Sequence, residues 1–310
     1  MQMDITIAFF ILGALATLVK ANIQFPKALY QGLTLFLLIA IGIKGGVALA
    51  EHGSAKLLPQ SGLVILLGLA IPLIAFPILR FIGQLNREDS ASIAAHYGSV
   101  SIGTYAVAVA FLETQNIAYE AYFPLFVVLL EVPAIAVGIA LAKKTGDKVK
   151  WRVLLHEVFC NQSMVLLVGA LLIGYWGADQ IGSIKPLFFD LFRGVLALFL
   201  LEMGMVAASR IKDLKQMGNF MLAFGVAMPL IGGLLGCMLG IQMGLSSGGA
   251  TLLAVLGGSA SYIAVPAAMR VAIPNANHSL SITYSLAITF PFNVLVGIPT
   301  YALFTHWLTN

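Results

Sequence analysis

Along the chain, apolar stretches of membrane-spanning length alternate with short clusters of charge, Pro and Asn. A bilayer core about 30 Å thick takes roughly 20 apolar residues per helix, so each stretch of that length predicts a span. Ten are predicted, near residues 3–20, 28–50, 61–83, 91–112, 120–142, 153–176, 186–209, 217–242, 247–270 and 279–303. The first ends on Lys20 with neither a basic leader nor a small-residue cleavage site, so it is expected to be retained as a span. The predicted fold class is an all-α polytopic membrane protein.

The longest polar connection, Lys143 to Lys150, divides the ten spans into five and five. The two halves share markers in the same order. Phe10-Ile-Leu-Gly-Ala14 matches Leu166-Leu-Val-Gly-Ala170, and Leu35-Phe-Leu-Leu38 before Gly42 matches Leu198-Phe-Leu-Leu201 before Gly204. Gly98-Ser-Val-Ser101 matches Gly258-Ser-Ala-Ser261, and Val137-Gly-Ile139 matches Val296-Gly-Ile298, so that all four lie at offsets of 156 to 163 residues. An ordered set of matches at closely similar offsets reads as a duplication. Because five is odd, the second copy enters the bilayer from the opposite side, which makes the repeat an inverted one. The expected organisation is a first five-helix repeat over 1–142, a short cytoplasmic linker over 143–152 and a second five-helix repeat over 153–310.

Composition sharpens the picture. The chain is 60% hydrophobic and only 10% charged, with mean hydropathy +0.96, whereas a soluble domain spends about a quarter of its residues on charge. A water-soluble globule and a disordered chain are both excluded. The net charge of +4 is scattered between apolar runs, so no nucleic-acid surface is expected. Cys160 and Cys237 sit within apolar runs and read as small buried hydrophobes without a disulfide. Of the 17 Lys and Arg residues, all but Lys44, Lys56, Lys185 and Arg193 fall on one side of the ten-span topology. That side is expected to be the cytoplasm, with both termini outside and the protein in the bacterial inner membrane.

Candidate chemistry follows from polar residues inside the spans, where they are costly and mark function by default. Gly98-Ser-Val-Ser-Ile-Gly-Thr104 lies near the middle of span 4, and Gly257-Gly-Ser-Ala-Ser261 near the middle of span 9. Gly loosens a helix and Ser or Thr satisfies freed backbone groups, so these are places where helices 4 and 9 break and cross. Half-helix N-termini approaching from both sides suit a small anion, and carbonyls at the other broken ends suit a hard cation such as Na⁺. The competing reading is ordinary packing, since small residues and hydroxyls are common between membrane helices. Recurrence of the motif at repeat-equivalent depth favours the site.

Glu131, in Leu129-Leu-Glu-Val-Pro133, is placed to ligate a cation or to carry a proton, with a neutral structural carboxyl as the alternative. Asn293 is a weaker companion, either a ligand or an interhelical hydrogen bond. A Lys44–Glu202 pair is compatible with the alignment of spans 2 and 7, but Lys44 is expected rather to extend outward along its stem. Asp190 and Arg193, spaced i, i+3, are expected to pair with each other. His96 reads as a packed polar neighbour of the span 4 motif or as a pH sensor. His156-Glu-Val-Phe-Cys160 begins like a zinc-protease motif but lacks the second His, and no phosphate-binding loop, nucleophile elbow or dinucleotide fingerprint occurs. Neither an enzyme nor an ATP-driven pump is expected, and no cofactor.

At these residues the chain resembles the sodium-dependent bicarbonate transporters, the SbtA-like permeases first known from cyanobacteria. The resemblance runs through most of the chain and is clearest at Ile41-Gly-Ile-Lys-Gly-Gly46, Gly98-Ser-Val-Ser-Ile-Gly-Thr104, Glu131-Val-Pro-Ala134, Phe192-Arg-Gly194 and Ala272-Ile-Pro-Asn-Ala-Asn277. It implies ten helices in two inverted halves, a homotrimer in membrane lipid, and Na⁺-driven uptake of bicarbonate at the helix 4 and 9 crossing. Carried over by motif, Ser99, Ser101 and Thr104 from one half and Ser259 and Ser261 from the other would face the anion and Na⁺. Val100, Gly103 and Gly258 lie between them in the anion site. The candidate Na⁺ set is Ser99, Thr104, Glu131 and Ser259. The chain departs from the family pattern at Ser261-Tyr-Ile-Ala-Val-Pro266, where Tyr262 stands in place of an Asp and Ala264-Val265 in place of Ser-Gly. Its short linker removes the ground for expecting a PII-like regulator.

The expected function is therefore a secondary transporter importing a small monoanion, bicarbonate foremost, with Na⁺ as coupling ion. Transport of another small anion or carboxylate, or an intramembrane ion sensor that does not transport, are the alternatives.

Overall fold

A computed structural model describes residues 4–143, 151–211 and 218–309. Among these residues the chain is helical throughout, with no β-strand. Most of the predicted linker lies outside the described residues, as do Lys212 and Lys215.

The polar residues that punctuate the apolar runs act as helix caps. Asp4 opens α1 (Ile5–Leu18), its Oδ1 accepting from the Thr6 N–H at 2.8 Å. After α2 (Lys27–His52) and α3 (Leu57–Pro77), Asn86 opens α4 (Arg87–Gly98) by accepting from the Asp89 N–H at 2.7 Å. Helix α5 (Ile102–Thr114) continues the same apolar segment, and α6 (Pro124–Ala142) closes the first half. In the second half α7 (Trp151–Phe159) is followed by α8 (Gln162–Trp176), capped by Asn161 through the Met164 N–H at 2.9 Å. Then come α9 (Phe192–Ser209), α10 (Asn219–Gln242), α11 (Ser247–Gly257), α12 (Ala264–Ala272) and α13 (His278–Thr309). Each cap supplies an acceptor to a backbone N–H that a helix start leaves free.

Among the described residues, seven helical segments are long and apolar enough to cross a membrane: α2, α3 with its extension to Ile82, α4–α5 taken together, α6, α9, α10 and α13. Three shorter apolar helices, α1, α8 and α11, fall within the other three predicted ranges. Proline explains the main irregularities. Pro72 and Pro77 lie in α3, which widens into a π-helical turn over Ile78–Ile82, and α13 carries π-helical turns over Tyr284–Thr289 and Asn293–Gly297 beside Pro291.

Packing crosses between the halves. Helix α1 lies along α9, and α2 lies along α8. Small residues permit the approach: a Cβ on Gly13 would strike the Leu201 carbonyl, and one on Gly204 would strike that of Phe10. Within each half a triad forms, α3 with α4 and α6 in the first, α10 with α11 and α13 in the second. The α4–α5 segment is the most enclosed, every residue from Asp89 to Leu112 being buried.

Three expectations are corrected. Cys160 is exposed, because it sits in the interruption between α7 and α8, while Cys237 is buried as expected. Arg193 reaches Asp4, 3.3 Å away, rather than Asp190, since the guanidinium points across to α1. Lys44 does not pair with Glu202, and its side chain keeps 22% of its surface exposed. Its Nζ lies 3.9 Å from Glu113 Oε1 and 4.2 Å from the centre of the Phe192 ring. The Tyr119 hydroxyl donates to the same Glu113 carboxylate at 3.1 Å. Burial and that carboxylate push the Tyr119 phenol up, so it remains a donor at neutral pH.

Candidate functional site

The helical path is interrupted at both predicted motifs. Helix α4 stops at Gly98, Ser99 and Ser101 take extended backbone conformations, and α5 resumes at Ile102. Ser101 Oγ caps α5, accepting from the Thr104 N–H at 3.1 Å and from Thr104 Oγ1 at 2.8 Å. Helix α11 stops at Gly257, and α12 begins at Ala264.

The two interruptions hydrogen-bond to each other. The Ser101 N–H donates to Ser259 Oγ at 3.1 Å, and the Ser261 N–H donates to the His96 carbonyl at 2.8 Å. His96 Nδ1 lies 2.6 Å from the Ser261 carbonyl, so Nδ1 carries a hydrogen and donates it. His96 is thus a buried neighbour fastened to the second interruption. Backbone groups released by one broken helix find partners on the other, as burial requires.

Asn293 has a similar part. Its Nδ2 donates to the Gly258 carbonyl at 2.8 Å, and Tyr301 Oη donates toward Asn293 Oδ1 and the Pro229 carbonyl, both at 3.0 Å. It is therefore an interhelical hydrogen bond that satisfies a carbonyl at the interruption. Gly103 serves by lacking a side chain, since its Cβ would lie 2.5 Å from Tyr262 Oη.

Three polar atoms here are buried without a hydrogen-bond partner among the described residues: His96 Nε2, Ser99 Oγ and Tyr262 Oη. Such groups cost about 1–3 kcal/mol each when unpaired. A narrow gap, too small for a water molecule, lies between the interruptions and α6 and α8, lined by Ser101, Glu131, Ser163, Ser261, Tyr262 and Ile263 among others. Glu131 is only 2% exposed, and its carboxyl group makes no hydrogen bond or ion pair among the described residues. No group of three or more His, Cys, Asp or Glu able to hold a metal ion occurs among those residues either.

The structure therefore distributes the expected residues unevenly. Ser101, Ser261 and Glu131 line the gap, with Val100 beside them. Thr104 and Ser259 are bonded around Ser101, Gly258 is bonded to Asn293, and Ser99 is buried with its hydroxyl free. Ser163 was not singled out by the sequence, because a lone Ser at the start of a helix carries no distinctive pattern. Further cavities with polar side chains lie among these helices. One of about 230 Å³ is lined by Tyr30, Gln31, Thr34, Asn161, Ser163 and Ile263 among others. Another, about 290 Å³, contains Lys44, Glu51, Tyr105, Glu113 and Tyr119.

A family model described as the Na⁺-dependent bicarbonate transporter superfamily matches residues 6–306. The chain belongs to that superfamily. Comparison with curated proteins gives no significant match. Membership across nearly the whole chain and the run of long apolar helices make this Na⁺-dependent bicarbonate transporter superfamily member an integral membrane protein of transporter type.

Proposed function

We propose that the protein imports a small monoanion, bicarbonate foremost, by symport with Na⁺, using a site where the interruptions of spans 4 and 9 meet. The observation that carries this reading is the reciprocal bonding of the two interruptions, Ser101 to Ser259 and Ser261 to His96. Two broken helices held together in this way leave their N-terminal N–H groups and the hydroxyls of Ser99, Ser101 and Ser261 as donors for an anion. Val100, Gly103 and Gly258 contribute backbone at the same place. Glu131 and the hydroxyls of Ser99, Thr104 and Ser259 are hard oxygen ligands suited to Na⁺. A cation bound beside the anion offsets its charge, which couples the two binding events.

The topology proposed with it is ten spans, counting α1, α7–α8 and α11–α12 with the seven longer segments, in inverted halves divided at 143–152. The cross-packing of α1 with α9 and α2 with α8, and the equivalent triads in the two halves, support that arrangement. Positive charge in the connecting segments supports a cytoplasmic linker and both termini outside, in a bacterial inner membrane. A homotrimer embedded in lipid completes the proposal, with no resident cofactor and with the short linker giving no ground for a regulator of the PII type.

The test is uptake of radiolabelled bicarbonate into proteoliposomes under an inward Na⁺ gradient, with K⁺ as the control at fixed pH. Uptake that depends on Na⁺ establishes cargo and coupling together. Absence of uptake in both salts discards bicarbonate, and competition among other small anions and carboxylates then identifies the cargo.

A further inference from the structure

The closed gap between the interruptions shares two lining residues, Ser163 and Ile263, with the polar cavity of about 230 Å³ beside it. The cavity on the Lys44 side shares none of its lining residues with the gap. The gap is thus bounded toward one cavity by side chains that both spaces share, and it shares none with the other.

Local structure sets that pair. Asn161 caps α8 and fixes Ser163 in its first turn, while Ile263 ends the non-helical stretch that leads into α12. Ser163 is buried and Ile263 partly so, and each contributes to both spaces. Tyr30, Gln31 and Thr34 come from the first turns of α2, and Ala267 from α12. This lining holds amides and hydroxyls and no Asp, Glu, Lys or Arg. Amides and hydroxyls donate N–H and O–H to an anion and offer oxygen atoms to coordinate a cation, so neither member of an ion pair is repelled or trapped. The Lys44 cavity, with Lys44, Glu51 and Glu113, has fixed charge of both signs.

We infer that the cavity between α2, α8 and α12 is the cytoplasmic passage of the transporter, with Ser163 and Ile263 as its inner gate, and that a small anion and its accompanying cation leave through it. The inference rests on the proposed transport site, and its orientation on the positive residues that open α2 at Lys27 and precede α8 at Arg152. Opening requires only that α8 and α12 part at Ser163 and Ile263.

The experiment uses the full chain with Cys160, which is exposed, replaced by Ser, leaving buried Cys237 in place. Ala267→Cys is treated with a membrane-impermeant thiosulfonate from either face of sealed vesicles. Reaction from the cytoplasmic face alone, with bicarbonate uptake lost once the adduct forms, is expected. Ser163→Phe, which fills the gate, is expected to abolish uptake without lowering the unfolding temperature. Reaction from the outer face alone, or from neither face, overturns the inference, as does uptake that persists through the Ala267→Cys adduct or in folded Ser163→Phe. Should Ser163→Phe not fold, the adduct, made on folded protein, still decides. The sidedness of labelling needs no cargo, so a parent protein that takes up no bicarbonate removes the cargo assignment and leaves the passage to stand or fall on labelling alone.

Discussion

Arg193 Nη2 lies 3.3 Å from Asp4 Oδ2 and 2.5 Å from Thr114 Oγ1, so one guanidinium ties α9 to the N-cap of α1 and to the last residue of α5. Thr114 also donates to Asp4 at 2.7 Å, and Thr6 donates to it through both backbone and hydroxyl. Asp4 is 3% exposed and is satisfied from several directions, whereas Arg193 is partly open to solvent. Their substitution should therefore cost different amounts. Asp4→Ala, which strips the cap and the charged acceptor together, is expected to cost about 2 kcal/mol. Arg193→Met, which removes a half-exposed partner, is expected to cost about 1 kcal/mol. Unfolding in detergent checks the order, and an Arg193 variant less stable than the Asp4 variant contradicts it.

Ser101 has two duties, and a single substitution confounds them. Its hydroxyl caps α5 through Thr104 and, in the proposed site, also faces the cargo, while its backbone N–H engages Ser259 whatever the side chain. Ser101→Ala is expected to lose about 1 kcal/mol from the cap alone, along with any contact to cargo. Ser101→Thr keeps a capping hydroxyl and is expected to retain most of the stability while crowding the gap. Uptake per folded molecule, measured alongside unfolding temperature, separates the duties. Equal uptake in both variants and the parent removes the Ser101 side chain from the transport site.

Much of this arrangement was legible in the sequence because it is local. The polar breaks between apolar runs are local, and Asp4, Asn86, Asn161, Ser246 and Asn277 cap helices at such breaks. The interruptions fall on the two Gly and Ser motifs for the same reason, since the ability of a helix to stop is a property of a few neighbouring residues. Partner choice over long distances was not legible. The i, i+3 spacing of Asp190 and Arg193 suggested a pair, yet a carboxylate 189 residues away captures the arginine because α1 packs on α9. Lys44 likewise meets Glu113, from another helix of its own half. Ser163 gains its position from the approach of α8 to the second interruption, and no feature of its immediate sequence announces that approach.

Asn293 and Tyr301 hold the carbonyl groups at the second interruption and its neighbour Pro229. Replacing Asn293 by Leu leaves the Gly258 carbonyl buried and unpaired, at an expected cost of about 1–3 kcal/mol. Tyr301→Phe leaves the Asn293 amide bond to Gly258 in place and should cost less. Unfolding temperatures in the same detergent test the ranking. A neutral Asn293→Leu substitution shows that the Gly258 carbonyl has another partner.

Glu131 makes the sharpest demand on the proposed coupling. A carboxylate 2% exposed and without an ion-pair partner among the described residues is costly to keep charged, so a bound cation or a proton must neutralise it. Glu131→Gln preserves the shape and removes the charge. Without Na⁺ the variant is expected to be at least as stable as the parent, because no charge needs burying. With Na⁺ present, the parent should gain stability by mass action and the variant should not. Unfolding temperatures recorded across a Na⁺ titration, with K⁺ holding ionic strength constant, measure both effects on the same samples. A variant that is stabilised by Na⁺ as much as the parent places the cation away from Glu131, on Ser99, Thr104 and Ser259 or elsewhere. A parent insensitive to Na⁺ while bicarbonate uptake still requires the Na⁺ gradient shows that the cation binds only together with the anion. Repeating the titration in saturating bicarbonate then tests Glu131 again.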